Sequence, residues 1–209
     1  MSAPRRALVV IDAQREYFDG LLPIQYPPRE ESIARIGELA AAAKSASIPV
    51  VVVKHEYRAG APVFAAGSQT WQIHPALAEC ESDADKRVVK TFASVFAGTG
   101  LADWLDAQSV DTVTLVGYMT NNCVLGSAAA AEPLGFAVEV ISDATGAIDL
   151  ANEAGSANAQ QVHETLMALL HSNWAAVTDG DGWKAAVEAV ERLERSDLRS
   201  SAARGRVMD

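Results

Sequence analysis

Three residues whose types can together activate a nucleophile each stand at the end of an apolar, strand-like run. Asp12 follows ALVVI (7–11), Lys90 ends RVVK (87–90), and Cys123 lies in the turn after TVTLV (112–116). A thiol with a reference pKa of about 8.5 is mostly protonated at neutral pH, so a cysteine nucleophile needs a base or a cationic neighbour. An aspartate can take the thiol proton, and a lysine can hold that aspartate ionised and favour the thiolate. The stretch GYMTNNCVLGSAAAA (117–131) reads as strand, sharp turn and helix. That reading puts Cys123 at a helix N-terminus, where backbone N–H groups and the helix dipole favour a thiolate. The same residues also fit a plainer pattern, with Asp12 and Lys90 as a structural ion pair and Cys123 as a small buried core residue.

Bringing three distant side chains together requires a frame, and the rest of the chain supplies one. Continuous apolar runs at 7–11, 49–54, 87–90, 112–116, 136–141 and 174–178 have strand length and the composition of strands covered on both faces. Between them, helical spacing recurs at 32–47, 101–108, 122–134, 158–171 and 183–195, with a short helix at 75–80. Pro133 predicts a stop or kink near Gly135. This alternation implies an α/β fold, a three-layer αβα sandwich with a six-stranded, mostly parallel, Rossmann-like sheet. In such sheets ligands bind beyond the carboxyl ends of the strands, which is where Asp12, Lys90 and Cys123 fall. The segment 55–85 has no periodicity and is too long for an idle connection, so it is a candidate substrate-binding loop. One domain is expected over residues 1–195, followed by a polar, mobile tail at 196–209 with few apolar anchors.

Composition removes several function classes. The 209 residues carry a net charge of −10, which argues against a nucleic-acid partner, because phosphate contacts need clustered Lys and Arg. No apolar run approaches the length of a membrane span. The five apolar residues after Arg6 stop at Asp12, too few for a signal-peptide core, and a cytoplasmic location is expected. Cys80 and Cys123 are the two cysteines and read as free thiols. No GxGxxG or GxxxxGK[ST] motif occurs, so no nucleotide cofactor is expected.

ALVVIDAQREYF, VVKTFASVF and LVGYMTNNCVLGSAAAAEPLGFAVEVISDAT resemble, in order and spacing, the signature blocks of the isochorismatase-like cysteine hydrolases. The resemblance spans 7–178 and matches Asp12, Lys90 and Cys123 to the catalytic triad of that superfamily. It implies a cis peptide at Tyr118–Met119 and an oxyanion hole formed by the Met119 and Cys123 N–H groups. It further implies hydrolysis of a C–N bond in a small amide, ureido or lactam substrate, as in carbamoylsarcosine amidohydrolases and streptothricin hydrolases, through a thioester. The nicotinamidase branch holds a metal with an Asp-x-His element, whereas VVKHEYRAG offers His55 without that partner. No metal is therefore expected, although His55, Glu56 and His74 are the residues that could converge on one. Isochorismatases proper cleave a vinyl ether and lack the cysteine, which places that activity second. A non-catalytic α/β module binding a metabolite is the alternative of a different class. Proximity to the motifs suggests Gln14, Phe18, Phe64, Trp71 and Tyr118 as substrate-binding residues, with Tyr17 and Phe92 as further walls. The family resemblance also implies a homo-oligomer.

Overall fold

The computed structural model describes residues 3–207. The six apolar runs form one parallel sheet from β1 (Arg6–Ile11), β2 (Val50–His55), β3 (Lys86–Lys90), β4 (Thr112–Tyr118) and β5 (Ala137–Gly146), closed, after a short antiparallel hairpin of β6 (Leu150–Asn152) and β7 (Gly155–Ala157), by β8 (Ala176–Thr178). The order across the sheet is β3-β2-β1-β4-β5-β8. The chain therefore runs outward from β1 to β3, then returns to the other side of β1 as β4. The carboxyl ends of β1 and β4 form the switch point where open α/β sheets bind ligands. Asp12 follows β1 and Cys123 follows β4.

Alternation along the strands divides the core into two apolar layers. On one face Ala7, Val9, Ile11 and Leu115 pack with Leu101 and Leu105 of α3 (Leu101–Ala107), Ala128 of α4 (Leu125–Ala131) and Leu170 of α5 (Ala159–Asn173). On the other, Leu8, Val10 and Val116 pack with Ile33, Ile36 and Leu39 of α1 (Arg29–Ser45) and Trp183 of α6 (Gly180–Glu188). α2 (Ala78–Ser82) follows a single 3-10 turn inside the long loop. The sandwich read from the sequence is thus present, and its six-stranded sheet is parallel throughout. Among the described residues, no helix is long and apolar enough to cross a membrane.

Local features depart from the sequence reading for identifiable reasons. The helix expected from Asn122 begins as a wider π-turn over Thr120–Val124, and α4 then runs into a 3-10 turn at Glu132–Leu134 that Gly135 ends with φ 82°. The helix expected over 183–195 stops at Glu188, where Val190 adopts φ 57°. Contacts beyond that point redirect the chain: Arg6 donates to the Glu191 carbonyl, and Arg192 donates to Asp111 and Thr112 at the start of β4. These tertiary bonds outweigh local helix propensity. Within the stretch expected to be a mobile tail, Leu198–Gly205 forms α7, capped by Asp197 accepting from Ser200 N–H. The β6–β7 hairpin, in which no strand-like alternation exists, was not legible in the sequence.

Candidate active site

Asp12, Lys90 and Cys123 meet beyond the carboxyl ends of β1, β3 and β4. Lys90 Nζ lies 2.6 Å from Asp12 Oδ2 and 3.2 Å from Cys123 Sγ. All three residues are sealed from solvent, with relative exposures of 0%, 2% and 1%. The sheet register delivers them. Asp12 N–H bonds to the Val53 carbonyl at 2.9 Å, continuing the β1–β2 ladder by one step. Asp12 itself then turns into the left-handed region at φ 48°, which disfavours a side chain bearing a Cβ by about 1 kcal/mol and here turns the chain at the strand end.

The nucleophile turn depends on one glycine. Gly117 has φ 99°, and a Cβ there would meet the Ile11 carbonyl oxygen at 2.1 Å. β4 can therefore approach β1 at the site only because residue 117 has no side chain. The peptide Tyr118–Met119 is cis, as the resemblance implied. Ser127, one helical turn beyond Cys123, donates its hydroxyl to the Cys123 carbonyl at 2.6 Å and accepts from Val95 N–H at 3.1 Å. It ties the turn to the loop after Lys90. Its signal in the sequence is only the i+4 spacing from the cysteine.

His55 joins the group. In the parallel β2–β3 register it pairs with Lys90, so the two side chains stand side by side, with His55 Nδ1 2.9 Å from Lys90 Nζ and 3.9 Å from Asp12 Oδ2. Burial, reinforced by the Lys90 ammonium, lowers its pKa to about 4. Neutral His55 accepts at Nδ1 and carries its proton at Nε2, which is buried without a partner. Donor atoms of Asp12, His55 and Cys123 lie within 4.8 Å of one another, an arrangement that could hold a cation. The cation at their centre is the Lys90 ammonium, so these donors are already committed. His74 stands apart, its ring tilted against Phe18 with centroids 4.1 Å apart and capping a turn by accepting from Ala76 N–H, and Glu56 does not join the donor group.

Burial and charge set the protonation states. Burial opposes the charge on Lys90, but the Asp12 carboxylate and Cys123 outweigh it and raise the lysine pKa, so the ammonium persists. Burial also raises Asp12, against the lowering effect of Lys90, which leaves it a stronger base than an exposed carboxylate. The 2.6 Å Asp12–Lys90 approach is an ion-pair contact, not an aligned hydrogen bond, and both carboxylate oxygens lack a hydrogen-bond partner. Burial pushes the Cys123 thiol up to about 12, with Asp12 adding to the rise and Lys90 opposing it. The resting group is thus thiol, carboxylate and ammonium. Burial and Asp12 oppose the resting thiolate that a helix N-terminus would favour, and Cys123 sits within the π-turn that leads into α4.

The suggested pocket residues separate into different roles. Gln14 bridges backbones, donating to the His55 and Trp71 carbonyls and accepting from His55 N–H, which uses both ends of its amide. Tyr118 turns to the opposite core layer, its hydroxyl 2.7 Å from Ser32 of α1. Phe64, at φ 50°, packs against His55 and Tyr17 with ring centroids 5.1 and 5.4 Å apart. Burial raises the Tyr17 pKa, and the nearby Asp12 carboxylate and, once ionised, Cys123 add to the rise. Phe18 lies between His74 and Tyr118. Trp71 carries the Lys54 ammonium 3.4 Å above its ring and buries an unpartnered Nε1. Phe92 is exposed, but its carbonyl accepts from Lys90 Nζ at 3.2 Å. Among the described residues, surface clefts of about 330, 420 and 320 Å³ lie elsewhere, bordered by Phe136 and Trp174, by Leu77 and Cys80, and by Trp183 and Val187.

Comparison with known proteins identifies the family of the chain. The isochorismatase domain model matches residues 6–181. A solved isochorismatase-type structure from Burkholderia xenovorans LB400 is 42% identical, covers 99% of each chain and superposes with a TM-score of 0.96. A secreted isochorismatase effector from Verticillium dahliae is 37% identical over 68% of this chain and 73% of its own length. A maleamate amidohydrolase from Pseudomonas putida is 31% identical over 67% of this chain and 71% of its own.

Proposed function

We propose that this chain, which belongs to the isochorismatase family of hydrolases, cleaves a C–N bond in a small amide, ureido or lactam substrate through covalent catalysis at Cys123. The observation that carries this reading is the single ammonium shared by a buried carboxylate and a buried thiol, Lys90 between Asp12 and Cys123. A maleamate amidohydrolase among its relatives supports the amide class. The cysteine sets amide hydrolysis above vinyl-ether cleavage, which has no use for a thiol nucleophile.

In this mechanism Asp12 takes the thiol proton as Cys123 Sγ attacks the substrate carbonyl, so the thiolate exists only during attack. The oxyanion rests on the Met119 and Cys123 N–H groups. The C–N bond then breaks, and the proton held by Asp12 passes to the departing ammonia or amine. A water molecule gives a proton back to Asp12 and adds to the thioester. The carboxylic acid product leaves, and the proton returns to Cys123. Lys90 stays protonated throughout and holds Asp12 in place, while His55 fixes one of the ammonium protons. Of the suggested pocket residues, Phe64 and Trp71, on the long loop, are the ones proposed to meet the substrate.

The test is a panel of small amides, beginning with maleamate and including ureido and lactam members, scored by release of ammonia or amine or, for the lactams, by appearance of the ring-opened amino acid. Turnover that disappears in Cys123→Ala supports the reading. Turnover that survives that change would remove the cysteine from the mechanism.

A further inference from the structure

A second buried histidine touches the nucleophile turn from its other side. His163, on α5, is 3% exposed, and its Nδ1 lies 3.0 Å from Oγ1 of Thr120, which is fully buried. Thr120 opens the π-turn that carries Cys123 and directly follows Met119. The Ser142 backbone lies near the ring and opposes the lowering of its pKa. Ser142 belongs to a bulge in β5, where the register slips so that Leu115 pairs with Val140 but Gly117 with Thr145. The edge of Tyr26 closes the ring from a third direction at 5.5 Å. Burial lowers the His163 pKa to about 4, so the ring is neutral at working pH and can accept the threonine proton at Nδ1.

We propose that His163 is a positioning residue for the reaction, holding the 119–123 turn in register by tying Thr120 to α5. The proposal rests on the reading of Cys123 as nucleophile and of the Met119 and Cys123 amides as the oxyanion site. A turn that carries both the attacking atom and the oxyanion donors must be held to a fraction of an ångström, and losing that precision lowers the rate of the chemical step more than substrate binding. The hydroxyl–imidazole bond is side chain to side chain and lies outside the helix and sheet ladders, so it is suited to setting the turn without contributing to the frame.

Thr120→Val, Thr120→Ser and His163→Gln separate this role from bulk stability. Hydrogen exchange of the peptide spanning 119–125 needs no substrate, so it decides the proposal even if no amide in the panel turns over. Thr120→Val and His163→Gln should speed exchange in that peptide by about tenfold or more while β1 and β2 stay protected, and Thr120→Ser should exchange as the parent does. With a panel substrate in hand, the first two variants should lower kcat by about tenfold or more with KM within about twofold, and the serine variant should retain the parent kcat. Unchanged exchange in the turn, or exchange that rises equally in the core strands, would overturn the proposal. Loss of turnover in Cys123→Ala concerns the nucleophile alone, so the two readings fail separately. Should His163→Gln not fold, Thr120→Val leaves the histidine in place and still decides the question.

Discussion

Lys90 Nζ lies 2.6 Å from Asp12 Oδ2, and neither side chain reaches solvent. Removing one partner of a buried ion pair leaves the other uncompensated, at a cost of about 3–5 kcal/mol, whereas removing both is far less harmful. Lys90→Met should therefore lower the unfolding free energy measured in urea by about that amount, and Asp12→Asn with Lys90→Met together should recover most of it. A loss below about 1 kcal/mol for the single change would mean that the pair behaves as an exposed one.

Asp12 and Lys90 pull the thiol in opposite directions, and this separates their roles experimentally. The Cys123 pKa of about 12 is raised by burial and by Asp12 and restrained by Lys90. Iodoacetamide labelling of Cys123 should show no inflection near pH 8.5 and should still rise above pH 10. In Asp12→Asn the acidic neighbour is gone, so labelling of Cys123 at a fixed pH should become faster while amide turnover falls by about a thousandfold or more. Cys80, raised to about 11 by burial, serves as the internal reference. Slower labelling in Asp12→Asn would contradict this electrostatic account.

His55 and His163 make stability depend on pH. Burial lowers both to about 4, with Lys90 adding to the effect at His55, whereas an unfolded histidine titrates near 6.5. Between those values the unfolded chain takes up protons that the folded chain refuses. Their contribution is thus fully present above about pH 6.5 and lost as the pH falls towards 4, by about 1–3 kcal/mol for each group. Urea midpoints measured from pH 7 to 4 should fall, and less steeply in His163→Gln.

Gly117→Ala is a sharper structural test than any change in the aromatic lining. The added methyl would sit 2.1 Å from the Ile11 carbonyl oxygen on a backbone with φ 99°. Backbone on both sides leaves no flexible side chain to yield, so a loss of about 3 kcal/mol or more is expected, read as a lower melting temperature or failure to accumulate as folded protein. An unchanged melting temperature would show that β1 and β4 can separate freely at the site.

The frame and the three reactive side chains were legible because both rest on local pattern. Runs such as ALVVI and PVVVVK state buried parallel strands outright, and the first reactive residue after such a run falls by topology at the ligand-binding edge. What escaped was set by contacts between distant segments. His55 was legible as a residue near the site, but its pairing with Lys90 follows from the β2–β3 register, which the sequence does not state. His163 lies on a helix 40 residues beyond Cys123, with nothing in its surroundings to distinguish it from an ordinary core histidine. Gln14 and Tyr118 lie close to the motifs in sequence, yet one is spent on backbone hydrogen bonds and the other faces α1. The thiolate inferred from a helix start is opposed by burial, which is a property of the packed core and not of the stretch 117–131.

The central claim is that Cys123 carries the acyl group. Its most direct test is the mass of the intact protein quenched by acid during turnover of an amide from the panel, followed by mapping of the modified peptide. The account predicts an added mass equal to the substrate less its ammonia or amine, or to the whole substrate for a lactam, located on Cys123 and absent from Cys80. Full turnover with no adduct on Cys123, together with undiminished release of ammonia or amine by Cys123→Ala, would contradict it.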